Sequence, residues 1–457
     1  MLARHVTLLA LGLGLTAPGA LAVTPAKAPD IPFEKYTLAN GLEVILHRDA
    51  SLPLVAVSLW YHVGPVNEPK GRSGFAHLFE HLMFTGSKNV GPRFDTLLES
   101  AGATNVNGTT SWDRTNYFET VPREHLELCL WLESDRMGFF LDALGADRLE
   151  VQRGVVKNER RQSYEDAPYG PSTLALLDTL FPDGHPYHGA VIGSMSDLDA
   201  AKLSDAESFF REYYAPSNAT LTLAGDFDPT KIKGLVQRYF GSLANKPKPK
   251  RAAIATPPLS QVLRKEVVEP VELAKVSMGW LAPPAYSKDA AALEVTAALL
   301  AGGKATRLYR ELVVKKKVAS EVEADVDANA LATTFSVSAV AASGKPPEAL
   351  ETAVDDALRQ LAAKGPEAAE LRRAKRRLVL ALMSDVQLLN GRDGESGRAG
   401  LLQRFNHYLG DPGQLGRWHA SLEAVTREDV KRVVEEHLDL SRRAIVTTRP
   451  KPGGKKP

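Results

Sequence analysis

The first part of this sequence sets out an order of patterns that the second part repeats, and this repetition constrains the fold more than any other feature. Val55 to Val63 alternates and carries β-forming side chains, as does Ala274 to Leu281. Each run is followed by a loop and then a helix-period segment that ends in similar text, Phe84-Thr-Gly-Ser-Lys88 and Leu300-Ala-Gly-Gly-Lys304. Each half closes on a helix and a strand, Ser208 to Tyr214 with Ala219 to Ala224, and Val430 to His437 with Arg443 to Thr447. The reading is an α+β protein of two homologous α/β-sandwich domains, each a sheet packed with helices, related by internal duplication. From Ala244 the text turns to Asn-Lys-Pro-Lys-Pro-Lys-Arg and then Thr-Pro-Pro, proline and charge without apolar periodicity. The expected division is a domain over residues 31–245, a linker over 246–260 and a second domain over 261–450. A chain of 457 residues gives each half enough length to bury its own core.

Charge excludes some partners. Lys plus Arg number 56 against 55 Asp plus Glu, a balance that generates no field to recruit nucleic acid or an anionic membrane. The start, Met1-Leu2-Ala3-Arg4-His5, an apolar run from Val6 to Leu15, then Ala20-Leu21-Ala22, reads as a signal peptide over residues 1–22. Export to the periplasm or the medium is expected, and no span remains after cleavage, since no later stretch is long and apolar enough. The single cysteine, Cys129, cannot form an internal disulfide and, among Leu126, Leu128, Leu130 and Trp131, reads as a buried small hydrophobe.

The chemistry concentrates at His77-Leu78-Phe79-Glu80-His81. Ser73-Gly74 can start a helix there, with Phe75, Leu78, Phe79, Leu82 and Met83 as its apolar side. Two histidines four residues apart project from one face and can reach one ion. Zinc asks for such nitrogen and carboxylate donors in a tetrahedron with one open position, although manganese or cobalt also accepts two histidines and a carboxylate. Glu80 lies beside the pair and is placed to act on a water molecule. Registering the halves on Gly86 and Gly302 sets Leu293, Thr296 and Ala297 opposite His77, Glu80 and His81. The fold therefore does not itself require those three residues. A third ligand is needed. Glu159 sits in a helix over Glu150 to Gln162 whose Val151, Val155 and Val156 are expected to face the core, and by spacing alone it competes with Glu133, Glu150 and Glu165.

The order His-x-x-Glu-His is the inverzincin signature. With Glu159 78 residues after His81, the text resembles the pitrilysin or insulysin (M16) family of metallopeptidases, which includes the mitochondrial processing peptidases. The likeness extends to Ala103-Thr-Asn-Val-Asn107-Gly-Thr-Thr-Ser-Trp-Asp113-Arg-Thr-Asn-Tyr117, to Gly154-Val-Val-Lys-Asn-Glu159-Arg-Arg-Gln, and to Tyr214-Ala-Pro-Ser-Asn-Ala219. The resemblance implies one zinc per chain on His77, His81 and Glu159, with Glu80 as the general base. It also implies a peptide substrate added as a strand to a sheet edge beside the metal, here a strand from Asn105 to Phe118 with Asn107 as a candidate contact to substrate backbone. Gln152 stands where many relatives carry a glutamate, and can orient a ligand or substrate through a hydrogen bond. An arginine and a tyrosine that hold substrate in many active members correspond to Val313 and Ser320, unless the register slips to bring Arg307 or Tyr309 into use. An intact metal motif beside an absent clamp implies the catalytic subunit of a heterodimer whose homologous partner carries the Arg/Tyr pair. The alternatives are a homodimeric peptidase or a non-catalytic peptide-binding or assembly subunit.

Overall fold

The computed structural model describes residues 30–250 and 254–452; the expected signal peptide, residues 1–22, lies outside them. Eleven strands form two sheets among the described residues. The first holds β1 (Glu34–Thr37), β2 (Glu43–Arg48), β3 (Leu54–Tyr61), β4 (Thr104–Ser111), β5 (Arg114–Pro122) and β6 (Ala219–Gly225), in the order β1-β2-β6-β3-β5-β4. The second holds β7 (Leu263–Glu269), β8 (Lys275–Ala282), β9 (Ala319–Ala328), β10 (Thr333–Ala341) and β11 (Ala444–Pro450), in the order β7-β11-β8-β10-β9. With β1 set aside the two orders correspond strand for strand. In each, the chain's last strand pairs parallel with the first of that series, β2 with β6 and β7 with β11. The helix after β3 is Phe75–Met83 and the one after β8 is Ala290–Leu300. Gly86 and Gly302, which register the repeats, both take positive φ, 99° and 94°, a conformation that L side chains resist.

Each sheet packs its own helices on one face and borrows a helix for the other. Gly170–Leu180, from the first half, lies across β7, β8 and β11, while Gly397–Leu409, from the second, lies across β3 and β6. Sequence explains both contacts. Gly279 of β8 leaves room for Leu180, whose Cδ1 would lie 2.9 Å from a Cβ placed there. Ala56, Ala224 and Ala399 let the other helix approach closely, and Gln403 donates its amide to the carbonyls of Ser58 (2.9 Å) and Thr220 (2.7 Å). A fully buried leucine such as Leu180 contributes about 1.5–3 kcal/mol through area removed from water. The exchange also explains β3. Its sequence alternates as a one-sided strand would, yet every residue from Val55 to Tyr61 is buried, because both faces are covered.

Three expectations are corrected. The stretch from Asn105 to Phe118 is a hairpin of β4 and β5 that turns at Trp112-Asp113, and only β4 is an edge. The helix expected at Ser208 begins at Leu203. A helix over Pro229–Phe240 follows β6, its first turn capped by Asp228 on the N–H groups of Thr230 and Lys231, where the sequence reading ended the half on the strand. Cys129 is buried and free.

Candidate metal centre and active site

The Phe75–Met83 helix buries Phe75, Leu78, Phe79, Leu82 and Met83. Phe79 anchors it, with its ring 5.3 Å from Phe209 and 5.2 Å from Tyr214. This leaves His77, Glu80 and His81 on the other side of the helix. Its start is not capped by Ser73, which instead donates to Asp197 (2.6 Å). Gly74 at the cap has φ 87° and offers no side chain. Glu68 fills the role: its carboxyl oxygens accept from Gly74 N (2.9 Å) and Ala76 N (2.8 Å). Burial pushes that carboxyl up to about 8. Gly74 also abuts Gly193 closely, since a Cβ on Gly74 would stand 2.4 Å from the Ile192 carbonyl.

Glu159 comes from the helix Ala146–Arg160, whose buried residues are Leu149 and Val156. Val151 and Val155, expected in the core, are 62% and 43% exposed. The inward stripe runs through 149, 152, 156 and 159; Val155 is one residue, about 100°, round from Val156. Gln152 lies half-buried on that stripe two turns before Glu159. The chain then passes into a π-helical segment over Arg161–Glu165, and Arg160 donates to the Gly193 carbonyl. Gly193 thus ties together the two helices that carry the histidines and the glutamate.

The three donor groups meet. His77 Nε2 is 3.7 Å from Glu159 Oε1 and His81 Nε2 is 3.1 Å from Glu159 Oε2. All three donor atoms lie within 4.8 Å of one another. Tetrahedral ligands about 2.05 Å from a zinc ion stand roughly 3.3 Å apart, so the residues fit the ion. The glutamates that compete by spacing are engaged elsewhere: Glu133 with Arg136, Glu150 with Arg153 (2.6 Å) and Glu165 with Arg160 (3.3 Å). Burial, then the neighbouring His81, pushes His77 down to about 4; it is neutral at pH 7, the form that ligates metals. Its Nδ1 is buried and has no hydrogen-bond partner among the described residues. The hydrogen bond from His81 holds Glu159 below the usual carboxylate range.

Glu80 is raised above the ordinary value by burial. Thr110 Oγ1 on β4 donates to its Oε2 at 2.6 Å. A Cβ on Gly108 would lie 3.0 Å from Glu80 Cγ, so β4 passes directly over the carboxylate. Strand alternation puts Gly108 and Thr110 on the Glu80 side and Asn107 with Thr109 on the other. Asn107 is exposed on the edge strand, with its side chain turned away from Glu80. Thr110 and Glu68 were missed by sequence reasoning. Thr110 can be picked out only once the hairpin register is known, and Glu68 precedes its helix outside the usual capping spacing.

The equivalent helix of the second half carries Leu293, Thr296 and Ala297, all buried, with the Thr296 hydroxyl turned onto the Ala292 carbonyl. Val313 lies in a π-helical turn over Tyr309–Lys315, and Ser320 is an exposed residue of β9. Arg307 is committed within its own half to Glu370 (2.7 Å) and the Gly365 carbonyl (3.1 Å). A second cluster, Asp289, Glu436 and His437, takes Arg432 on Asp289 at 2.8 Å, where a guanidinium already supplies the positive charge.

Comparison with known proteins bears on the family and the fold. The chain is 35% identical over 296 residues to the zinc protease PqqE of Helicobacter pylori, a match covering 63% of this chain and 65% of that one. It superposes on the crystal structure of a protease from Helicobacter pylori with a TM-score of 0.85 and 29% identity, over 92% of this chain and all of the other. The periplasmic protease PqqL of Escherichia coli shares the fold at a TM-score of 0.73 and 18% identity, over 93% of this chain and 48% of that one. Residues 43–179 match the model described as insulinase (peptidase family M16), and residues 201–378 match the one described as the peptidase M16 inactive domain. Those two stretches together make up more than half of the sequence, and the chain belongs to peptidase family M16.

Proposed function

We propose that this chain is a zinc-dependent endopeptidase acting on peptides or unfolded polypeptides. The observation that carries the reading is the convergence of His77, His81 and Glu159 on one point, with Glu80 held beside it. Zinc, when bound, supplies Lewis-acid polarisation of a carbonyl and of water. His77, His81 and Glu159 hold it. Glu80 accepts the proton of the attacking water and delivers it to the leaving amine. Thr110 fixes the carboxylate, and the unpaired side of β4 offers backbone groups to an extended peptide. The family description of an inactive domain falls on residues 201–378, outside all four of these residues.

The absent Arg/Tyr pair supports a heterodimer in which a homologous partner holds the substrate. Export to the periplasm or medium rests on the first 22 residues, and a related protein of Escherichia coli is described as periplasmic. Among the described residues, no helix is long and apolar enough to cross a membrane. The test is Glu80→Gln. It should retain stoichiometric zinc and lose peptide hydrolysis; full turnover by the metal-loaded variant removes Glu80 from the role. Robust cleavage by the wild-type chain purified alone would end the heterodimer reading.

A further inference from the structure

The second half bears on the site through a buried arginine of the first. Arg114 opens β5 and is 4% exposed. Its guanidinium donates to Glu395, with Nε 3.1 Å from Oε1 and a closer contact from Nη2. Nη1 donates to the Thr109 carbonyl (2.8 Å), to the Thr109 hydroxyl, and to Asn116 Oδ1 (3.2 Å). The carbon of the guanidinium sits 5.0 Å from the centre of the Trp60 ring. Thr109 immediately precedes Thr110, which holds Glu80. Glu395 belongs to the second half, and it is the carboxylate on which this buried cation rests.

The segment around Glu395 is built to fit this place. Asp393 Oδ1 accepts from the N–H groups of Glu395 (3.0 Å) and Ser396 (2.8 Å), and Gly391 N donates to the Ser396 carbonyl (2.8 Å), which closes a compact turn. The turn docks on the hairpin through its backbone. Asn116 Nδ2 donates to the Gly394 carbonyl (3.2 Å) and Thr109 Oγ1 to the Asp393 carbonyl (3.4 Å). Gly394 has φ 67°, and a Cβ there would stand 2.5 Å from both Asn116 Nδ2 and Phe118 Cε1. Only glycine permits this approach. Glu395 and Ser111, the last residue of β4, also line a cavity of about 200 Å³ whose other walls come from the second half.

We propose that the 391–396 turn of the metal-free half is a positioning device for the active site: Glu395 fixes Arg114, and Arg114 sets the edge strand and, through it, the Thr110–Glu80 contact. The inference rests on the peptidase reading above. It makes Arg114 and Glu395 positioning residues that act through Thr110 and the edge strand, and it explains why a half with no ligands stays applied to the one that has them.

The test uses the full zinc-loaded chain with Glu395→Gln, Glu395→Asp and Gly394→Ala. Hydrogen exchange in residues 104–111 should speed up about tenfold in Glu395→Gln and Gly394→Ala and recover in part in Glu395→Asp, with zinc stoichiometry kept and a cooperative thermal transition retained at a lower midpoint. In peptide hydrolysis, kcat should fall about tenfold in Glu395→Gln, and the double variant Thr110→Val, Glu395→Gln should be no slower than Thr110→Val alone. Unchanged exchange in residues 104–111 overturns the proposal. So does fully additive loss in the double variant, or loss of zinc together with global unfolding, which would mark the contact as structural only. If the zinc-loaded wild type cleaves no peptide even when a homologous partner carrying the Arg/Tyr pair is added, the peptidase reading fails, and the exchange measurement still decides the positioning role.

Discussion

Glu68 offers a quantitative check on how the metal-ligand helix is held. Its carboxyl titrates near 4.5 in the unfolded chain and at about 8 in the folded one, because burial outweighs the amide N–H groups of Gly74 and Ala76. A carboxyl whose pKa rises on folding contributes stability that is complete below pH 4.5 and is lost as pH climbs towards 8. Each pH unit over which the unfolded chain is ionised and the folded chain is not costs about 1.36 kcal/mol. The full loss is about 5 kcal/mol, and a little over half of it falls between pH 6 and 9. Glu68→Gln removes the titration while keeping the shape. Urea unfolding of both proteins at pH 6 and pH 9 should therefore show the wild type losing about 3 kcal/mol more than the variant. Other groups titrating in this interval cancel in the comparison. Parallel curves for the two proteins would refute the reasoning and show that the helix N–H groups, not burial, govern the carboxyl.

Glu159→Ala leaves two ligands, and zinc affinity measured by competition with a chelator should fall by more than about 100-fold, beyond the usual loss for an outer partner, while the fold persists. Gly74→Ala meets a φ of 87° and a carbonyl at 2.4 Å; unfolding stability should drop by about 2–4 kcal/mol, with weaker zinc retention because the histidine helix starts there. Leu180→Ala empties the contact against Gly279 and should cost about 2–5 kcal/mol in urea unfolding, although the residue is remote from the metal ligands in sequence. A loss below about 0.5 kcal/mol would mean that the borrowed helix adds little to the second sheet.

Much of the fold was legible because duplication writes each element twice. The strand after the linker, the glycines at 86 and 302, and the histidine helix are all where the repeat puts them. The histidine pair was legible for a different reason, since a spacing of four residues fixes two side chains on one face whatever surrounds the helix. Glu159 was open by spacing, because four glutamates satisfied it, and geometry separates them by their ion-pair partners. Val151 and Val155 break the expectation because valine marks a core only in the right helical phase, and each stands about 100° off the stripe through 149, 152, 156 and 159. The crossed helices and Glu68 could not be seen in a linear reading. Gly170–Leu180 and Gly397–Leu409 look like ordinary amphipathic helices of their own halves, and a capping contact six to eight residues from its targets depends on a loop path that no local pattern encodes.

The two borrowed helices give the duplication a lasting asymmetry. Each copy roofs the other, so cutting the chain between them would strip one face from both sheets at once and expose the alanines and leucines that now meet there. The second copy can therefore do without metal ligands but not without its bulk: its chemistry is unconstrained by the sheet it covers, while its shape is not.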